Sequence, residues 1–145
     1  MSHVNDDDVI HRLLRTPGTW AVVGLSANRE RTAYGVSEWV RDALGMRLVP
    51  INPRGEGVLG EPGFASLAAV PDGTRVDVVD CFVNSGRVGA IVDDVIAHRE
   101  RLGIGAVWLQ LGVVDEAAAA RAEAAGLDVV MDTCPHIQGP RLGIA

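Results

Sequence analysis

The chain contains no lysine: all thirteen of its basic residues are arginine. That absence excludes Schiff-base chemistry, a catalytic lysine and a GxxxxGK[ST] phosphate loop. Any anion this protein holds must be met by arginine, backbone N–H groups, hydroxyls or a helix N-terminus. Cysteine is scarce. Cys81 and Cys134 are the only two, which fits a reduced, cytoplasmic protein without a disulfide framework. No apolar run reaches the ~18 residues that a membrane span requires. The opening MSHVNDDDVIHRLLRT is acidic and polar, unlike a secretory or transit signal. A net charge of −6 and a pI of about 5.1 argue against nucleic acid and membrane surfaces as partners. Internal repeats and linkers are missing too.

What is present is a chain of 145 residues, 48% hydrophobic and 22% charged. That composition excludes disorder and suits one domain spanning residues 1–145. A chain of this size buries roughly two thirds of its unfolded surface and needs no disulfide or metal to fold.

Strand-like and helix-like patterns alternate along it. Residues 6–15 predict a short helix, with Asn5 as cap and Asp6, Asp7 and Asp8 at its positive end. Residues 20–25 form an apolar run of strand length, suited to a strand buried on both faces. A helix is expected over 35–44, ended by Gly45, and a second strand over 47–52, where Pro50 implies irregularity or an edge. A glycine-rich loop and a short helix at 64–69 precede a third strand at 76–83. A helix at 86–101, a strand at 106–110, a helix at 115–125 and a strand at 127–131 complete the series. Such alternation predicts a three-layer α/β domain: a parallel sheet of about five strands, flanked by helices. Ligands of such sheets sit outside the carboxyl ends of the strands, so those ends are the positions to read.

The first strand ends in Gly24-Leu25-Ser26, which is not GxGxxG. The loop at 26–34 carries Ser26, Asn28, Arg29, Arg31, Thr32 and Tyr34 ahead of a helix, an arrangement suited to a diphosphate. After the second strand, a site for NAD wants an acid to bond the ribose diol. This chain has Asn52-Pro53-Arg54. A guanidinium there suits a ribose phosphate. The ligand implied is a phosphorylated adenosine, either coenzyme A with its 3′-phosphate or NADP with its 2′-phosphate.

Several segments carry a family resemblance: AVVGLSANRERTAYGV at 21–36, RLVPINPRGEGVLGEPGFASL at 47–67, VDVVDCFVNS at 76–85, AVWLQLGVVDEAAAARAEAAGLDVVMDTCP at 106–135 and PRLG at 140–143. On these the chain resembles the small CoA-binding proteins of Rossmann-type fold, related to the N-terminal CoA-binding domain of the succinyl-CoA synthetase α subunit. The resemblance implies coenzyme A, or an acyl-CoA, lying across the strand ends. Carried over onto this chain, it puts Gly24, Ser26, Arg29 and Tyr34 at the diphosphate and Asn52, Pro53 and Arg54 at the adenosine. Phe82, Val83 and Ser85 then face the adenine or the pantetheine arm, and Gln110, Leu111 and Gly112 follow the fourth strand. The chain departs from the family pattern at Val83, Thr133, Gln138 and Gly139, where relatives often carry charged or larger residues.

Catalytic candidates are few. Cys134-Pro135-His136 invites a Cys/His reading, but neighbours in a tight turn rarely aim at each other. Cys81 sits in an apolar strand and reads as core. The histidines, His3, His11, His98 and His136, lack metal-ligand spacing. Asp77 and Asp80, three apart on a strand, point to opposite faces, with Asp80 as a buried polar anchor. The expectation is therefore non-catalytic binding of CoA or an acyl-CoA. The alternatives are an NADP-dependent oxidoreductase, an NAD(P)-sensing domain, or a CoA-ligase subunit that needs a partner chain. A protein partner or a homo-oligomer stays open.

Overall fold

Continuous apolar strands demand cover on both faces, and the chain supplies it. The computed structural model describes residues 2–145. Its elements run α1 (Asp7–Arg15), β1 (Thr19–Val23), α2 (Thr32–Leu44), β2 (Arg47–Ile51), a 3-10 turn (Leu67–Ala69), β3 (Val78–Cys81), α3 (Ser85–Leu102), β4 (Ala106–Leu109), α4 (Glu116–Ala124), β5 (Asp128–Met131) and α5 (Pro135–Arg141). The five strands are all parallel, in the order β2-β1-β3-β4-β5. The fold is thus the expected three-layer, Rossmann-like α/β domain. None of the helices among the described residues is long and apolar enough to cross a membrane.

Alternation along each strand feeds two separate cores. On β3, Val79 and Cys81 point to one face, where Val88, Val92 and Val95 of α3 and Ala118, Ala119 and Ala122 of α4 cover them. Val78 points to the other, with Trp20 and Val22 of β1 and Trp108 of β4. There Ile10 and Leu14 of α1, Ala33, Val36 and Val40 of α2, and Cys134 close the layer. Trp20 and Trp108 meet at 5.7 Å between ring centroids, and the Trp108 indole N–H donates to the Thr133 carbonyl at 2.9 Å. β2 lies at a sheet edge, which is where Pro50, lacking a donor, is tolerated. The Pro50 carbonyl accepts from the Phe64 amide at 3.0 Å.

Some boundaries differ from expectation, each for a physical reason. Asn5 does not cap α1. Asp6 does, accepting from the Asp8 amide at 2.8 Å, while the Asn5 carboxamide bonds both backbone groups of Met131, at 2.9 Å each. The short helix expected at 64–69 is a single 3-10 turn. The strand expected over 76–83 is regular only across Val78–Cys81; single backbone bonds continue on either side, from Asp77 to Thr19 and from Phe82 to Val23 at 2.8 Å each, and the Asp77 carboxylate accepts from the Thr19 amide and pairs with Arg75.

Helix α5 went unread. Pro135, Gly139 and Pro140 within seven residues obscure a helical pattern, yet Pro135 stands in the first turn, where a missing N–H costs nothing. Gly139 is required by contact: a Cβ there would lie 2.6 Å from Trp39 Cη2 and 2.8 Å from the Ile144 carbonyl oxygen. Gly139→Ala is therefore expected to destabilise the domain by about 1–3 kcal/mol through overpacking, read as a lowered urea midpoint at unchanged slope.

Candidate functional site

The strands end together at one edge, and chain direction reverses between the β1–β2 and β1–β3 crossovers, so the loops part there. A cleft of about 1350 Å³ occupies that gap. Its floor is Val23 and Gly24 after β1, Ile51 and Asn52 after β2, and Phe82 and Val83 after β3. One wall is the start of α2, with Arg31, Thr32 and Ala33; the facing wall is α3, with Gly86, Arg87, Ile91 and Asp94. Gln110, Leu111, Val113, Cys134 and Ile137 close the end beneath β4 and α5.

Two close approaches shape the floor. Gly24 has φ +96°, and a Cβ there would lie 2.4 Å from the Phe82 carbonyl oxygen, so only glycine lets the two loops meet. Asn52 is buried, and its carboxamide joins three backbone groups. Nδ2 donates to the Leu25 and Glu56 carbonyls at 3.0 Å each, and Oδ1 accepts from the Glu56 amide at 3.0 Å. The Glu56 carboxylate then accepts from the Ala27 amide at 3.1 Å.

Two helices aim their first turns at the same space. α2 starts after Arg31 and α3 after Asn84, and neither has a side-chain cap. Their free N–H groups and positive dipole ends favour an anion. Arg31, Arg87 and Asp94 are the charged residues of the lining.

Of the residues singled out from sequence, Gly24, Ser26, Asn52, Pro53, Phe82, Val83 and Gln110 line this cleft. Five do not. Arg29 lies over the Tyr34 ring at 5.6 Å from its centroid, so both stand outside the lining. Ser85 is occupied between loops, its Oγ accepting from the Val114 amide at 2.9 Å and donating to the Gly112 carbonyl at 3.3 Å. Gly112 in turn donates its N–H to Asp132 Oδ1 at 2.7 Å. Arg54 is exposed beside Pro53, with no hydrogen bond or ion pair to any described residue. Arg87 and Ile137 were missed; only their places in the first turns of α3 and α5 mark them. Arg31, counted in the loop suited to a diphosphate, lines the cleft where α2 begins.

The reactive candidates are separated. Cys81 belongs to the α3/α4 core and Cys134 to the opposite one, so the sheet lies between two free thiols. Burial pushes the Cys81 thiol up. His136 stacks on Trp39, with centroids 4.5 Å apart and planes 19° apart. No group of three metal-ligating side chains occurs among the described residues.

Asp80 is buried as expected, with one carboxyl oxygen left unpaired. It stands between Val22 and Trp108 in the sheet register, 1% exposed, and its Oδ1 has no partner among the described residues. Burial raises its pKa well above 3.8, against a smaller opposing pull from the Cys81 backbone amide.

Comparison with known proteins gives the family. A model of the CoA binding domain matches residues 18–140, and the chain belongs to that family. An uncharacterised protein, YneT, of Bacillus subtilis (strain 168) is 31% identical over 125 residues, covering 86% of this chain and 87% of that one. The solved structure of a hypothetical protein from Pyrococcus horikoshii superposes with a TM-score of 0.83 at 29% identity, over 98% of this chain and 99% of the other. A dinucleotide-forming acetyl-coenzyme A synthetase of Ca. Korarchaeum cryptofilum shares the fold, with a TM-score of 0.65 at 24% identity; the match takes in 83% of this chain and 26% of that one.

Asp80 yields a pH test. The native carboxyl keeps a proton that the unfolded chain releases near its ordinary pKa, so its contribution to stability falls as pH rises above about 4. Asp80→Asn removes the ionisation and keeps the shape. Denaturant titrations at about pH 5 and about pH 8 should show wild type losing ground to the variant at the higher pH. A gap independent of pH would mean that Asp80 is ionised in the fold.

Proposed function

We propose that the chain binds coenzyme A, or an acyl-CoA, across the cleft at the carboxyl ends of the strands, without turning it over. The observation that carries this reading is the pair of uncapped helix starts, α2 and α3, facing one cleft that also holds Arg31 and Arg87. The diphosphate lies at the start of α2. The adenosine lies toward β2, where Asn52 rather than an acid follows the strand and the unpartnered Arg54 stands at the rim. The arm runs over Phe82 and Val83 toward Gln110. The cleft exceeds the roughly 300–1,000 Å³ of pockets for drug-sized ligands, as an extended ligand needs.

Absence of turnover is supported by what surrounds the candidate groups. Cys134 lines the cleft, but His136 beside it is stacked on Trp39, and Cys81 is sealed on the other face of the sheet. Two buried free thiols suit a reducing, cytoplasmic setting. A ligase role would need a partner chain. The shared fold with part of a synthetase chain favours that second reading, and its sign would be CoA thioester formation only when a partner is added.

Arg54 tests the ligand. A charge-assisted bond to the 3′-phosphate is worth roughly ten- to a hundredfold in affinity. Calorimetry should show Arg54→Ala weakening CoA by about that factor while leaving dephospho-CoA almost unchanged. Equal binding of both ligands by wild type would show that the phosphate is not read. Tighter binding of NADP than of CoA would assign the arginine to a 2′-phosphate instead.

A further inference from the structure

One end of the cleft differs chemically from the rest. Four large apolar side chains stand exposed among the described residues: Val4, Leu111, Val114 and Ile137. Three of them belong to α5 or the loop after β4, and Leu111 and Ile137, 59% and 49% exposed, line the cleft itself. The charged lining residues lie elsewhere, on α3 and at the start of α2. On the same rim Asp132 accepts from the Gly112 amide at 2.7 Å.

At the entrance to this corner sits Gln110. It is 5% exposed, lines the cleft, and its carboxamide bonds no described residue; its Oε1 is buried without a partner. An unpaired buried amide costs free energy until something pairs with it. A carboxamide both donates and accepts, and its terminal torsion turns easily between two orientations. An amide of a ligand satisfies it in either orientation. The thiol-bearing arm of coenzyme A carries two.

We propose that the β4–α5 end of the cleft is an acyl-thioester subsite. Gln110 pairs with an amide of the ligand's arm, and Leu111, Val113 and Ile137 beyond it take an uncharged, apolar acyl group in preference to a carboxylated one. This rests on the CoA reading above and adds to it the class of acyl group. An apolar acyl chain replaces water against Leu111 and Ile137. A carboxylated chain of the same length must give up water around its charge to lie against Leu111 and Ile137.

Calorimetry with five ligands separates the two levels: 3′-phospho-ADP, which lacks the arm, CoA, acetyl-CoA, butanoyl-CoA and succinyl-CoA. Affinity should rise from acetyl- to butanoyl-CoA by about two- to fourfold per added methylene. Succinyl-CoA, with the same four carbons, should bind at least tenfold more weakly than butanoyl-CoA. Ile137→Asp should bring the butanoyl-to-CoA affinity ratio close to one. Gln110→Met should weaken CoA by roughly tenfold and leave 3′-phospho-ADP unchanged. Equal binding of CoA, butanoyl-CoA and succinyl-CoA would overturn the acyl subsite and leave the CoA reading standing. Equal effects of Gln110→Met on CoA and 3′-phospho-ADP would remove Gln110 from the arm. A concentration-dependent dimer dissolved by Ile137→Asp, without acyl preference, would make the apolar corner an interface. No binding of any CoA compound would overturn both readings.

Discussion

The cleft depends on one carboxamide. Parallel strands bring their carboxyl ends to one edge, and nothing in the sheet itself determines how far the loops beyond them part. Asn52 does so here, joining the loop after β1 at Leu25 to the loop after β2 at Glu56 through both ends of its amide. Burying an amide is costly unless its groups are paired, and these bonds pair it fully on the donor side. The same loop then reaches back through the Glu56 carboxylate to Ala27. With the β1 and β2 loops tied, the start of α2 is held over the floor and its N–H groups face the gap. Polar contacts of this kind act on the geometry of the edge more than on overall stability.

Fold and site were legible in the sequence to different degrees. The five strands could be read because each is a short apolar run buried on both faces, and the α/β order because the period switches between strand and helix. The cleft's place followed from that topology alone. Individual roles did not follow, because a strand-end residue can face the gap, brace a neighbouring loop or face solvent, and residue type does not distinguish these. Ser85 has a hydroxyl suited to a phosphate, yet it braces the β4 loop. Arg29 and Arg31 are two residues apart in one loop; the first lies over Tyr34 and the second lines the cleft. Helix α5 was illegible because its proline and glycine content hides a packing reason, the contact of Gly139 with Trp39.

The departures from the family pattern near the C-terminus look different once the contacts are seen. Thr133 and Gln138 are bonded to each other, Gln138 Nε2 donating to Thr133 Oγ1 at 2.7 Å. Arg141 Nε donates to Gln138 Oε1 at 2.6 Å and its other nitrogens reach Asp7 of α1. Thr133 and Gln138 thus form a neutral pair in which each meets the other's need. Gly139 follows the same logic, since its bareness lets α5 settle on α2.

The two outer strands of the sheet show how the molecule treats its unpaired backbone. At β5, the Asn5 side chain bonds the N–H and the C=O of Met131, presenting one residue's worth of a neighbouring strand. At β2, Pro50 has no amide to offer and its carbonyl is already taken by Phe64. Open sheet edges are templates for another chain, and proteins blunt them by such means. Each flank of this sheet is thereby stopped by a residue that resembles a strand without continuing it. One outward-facing backbone position on each flank is therefore already occupied, at Met131 and at Pro50, and addition of a strand from another copy is disfavoured there.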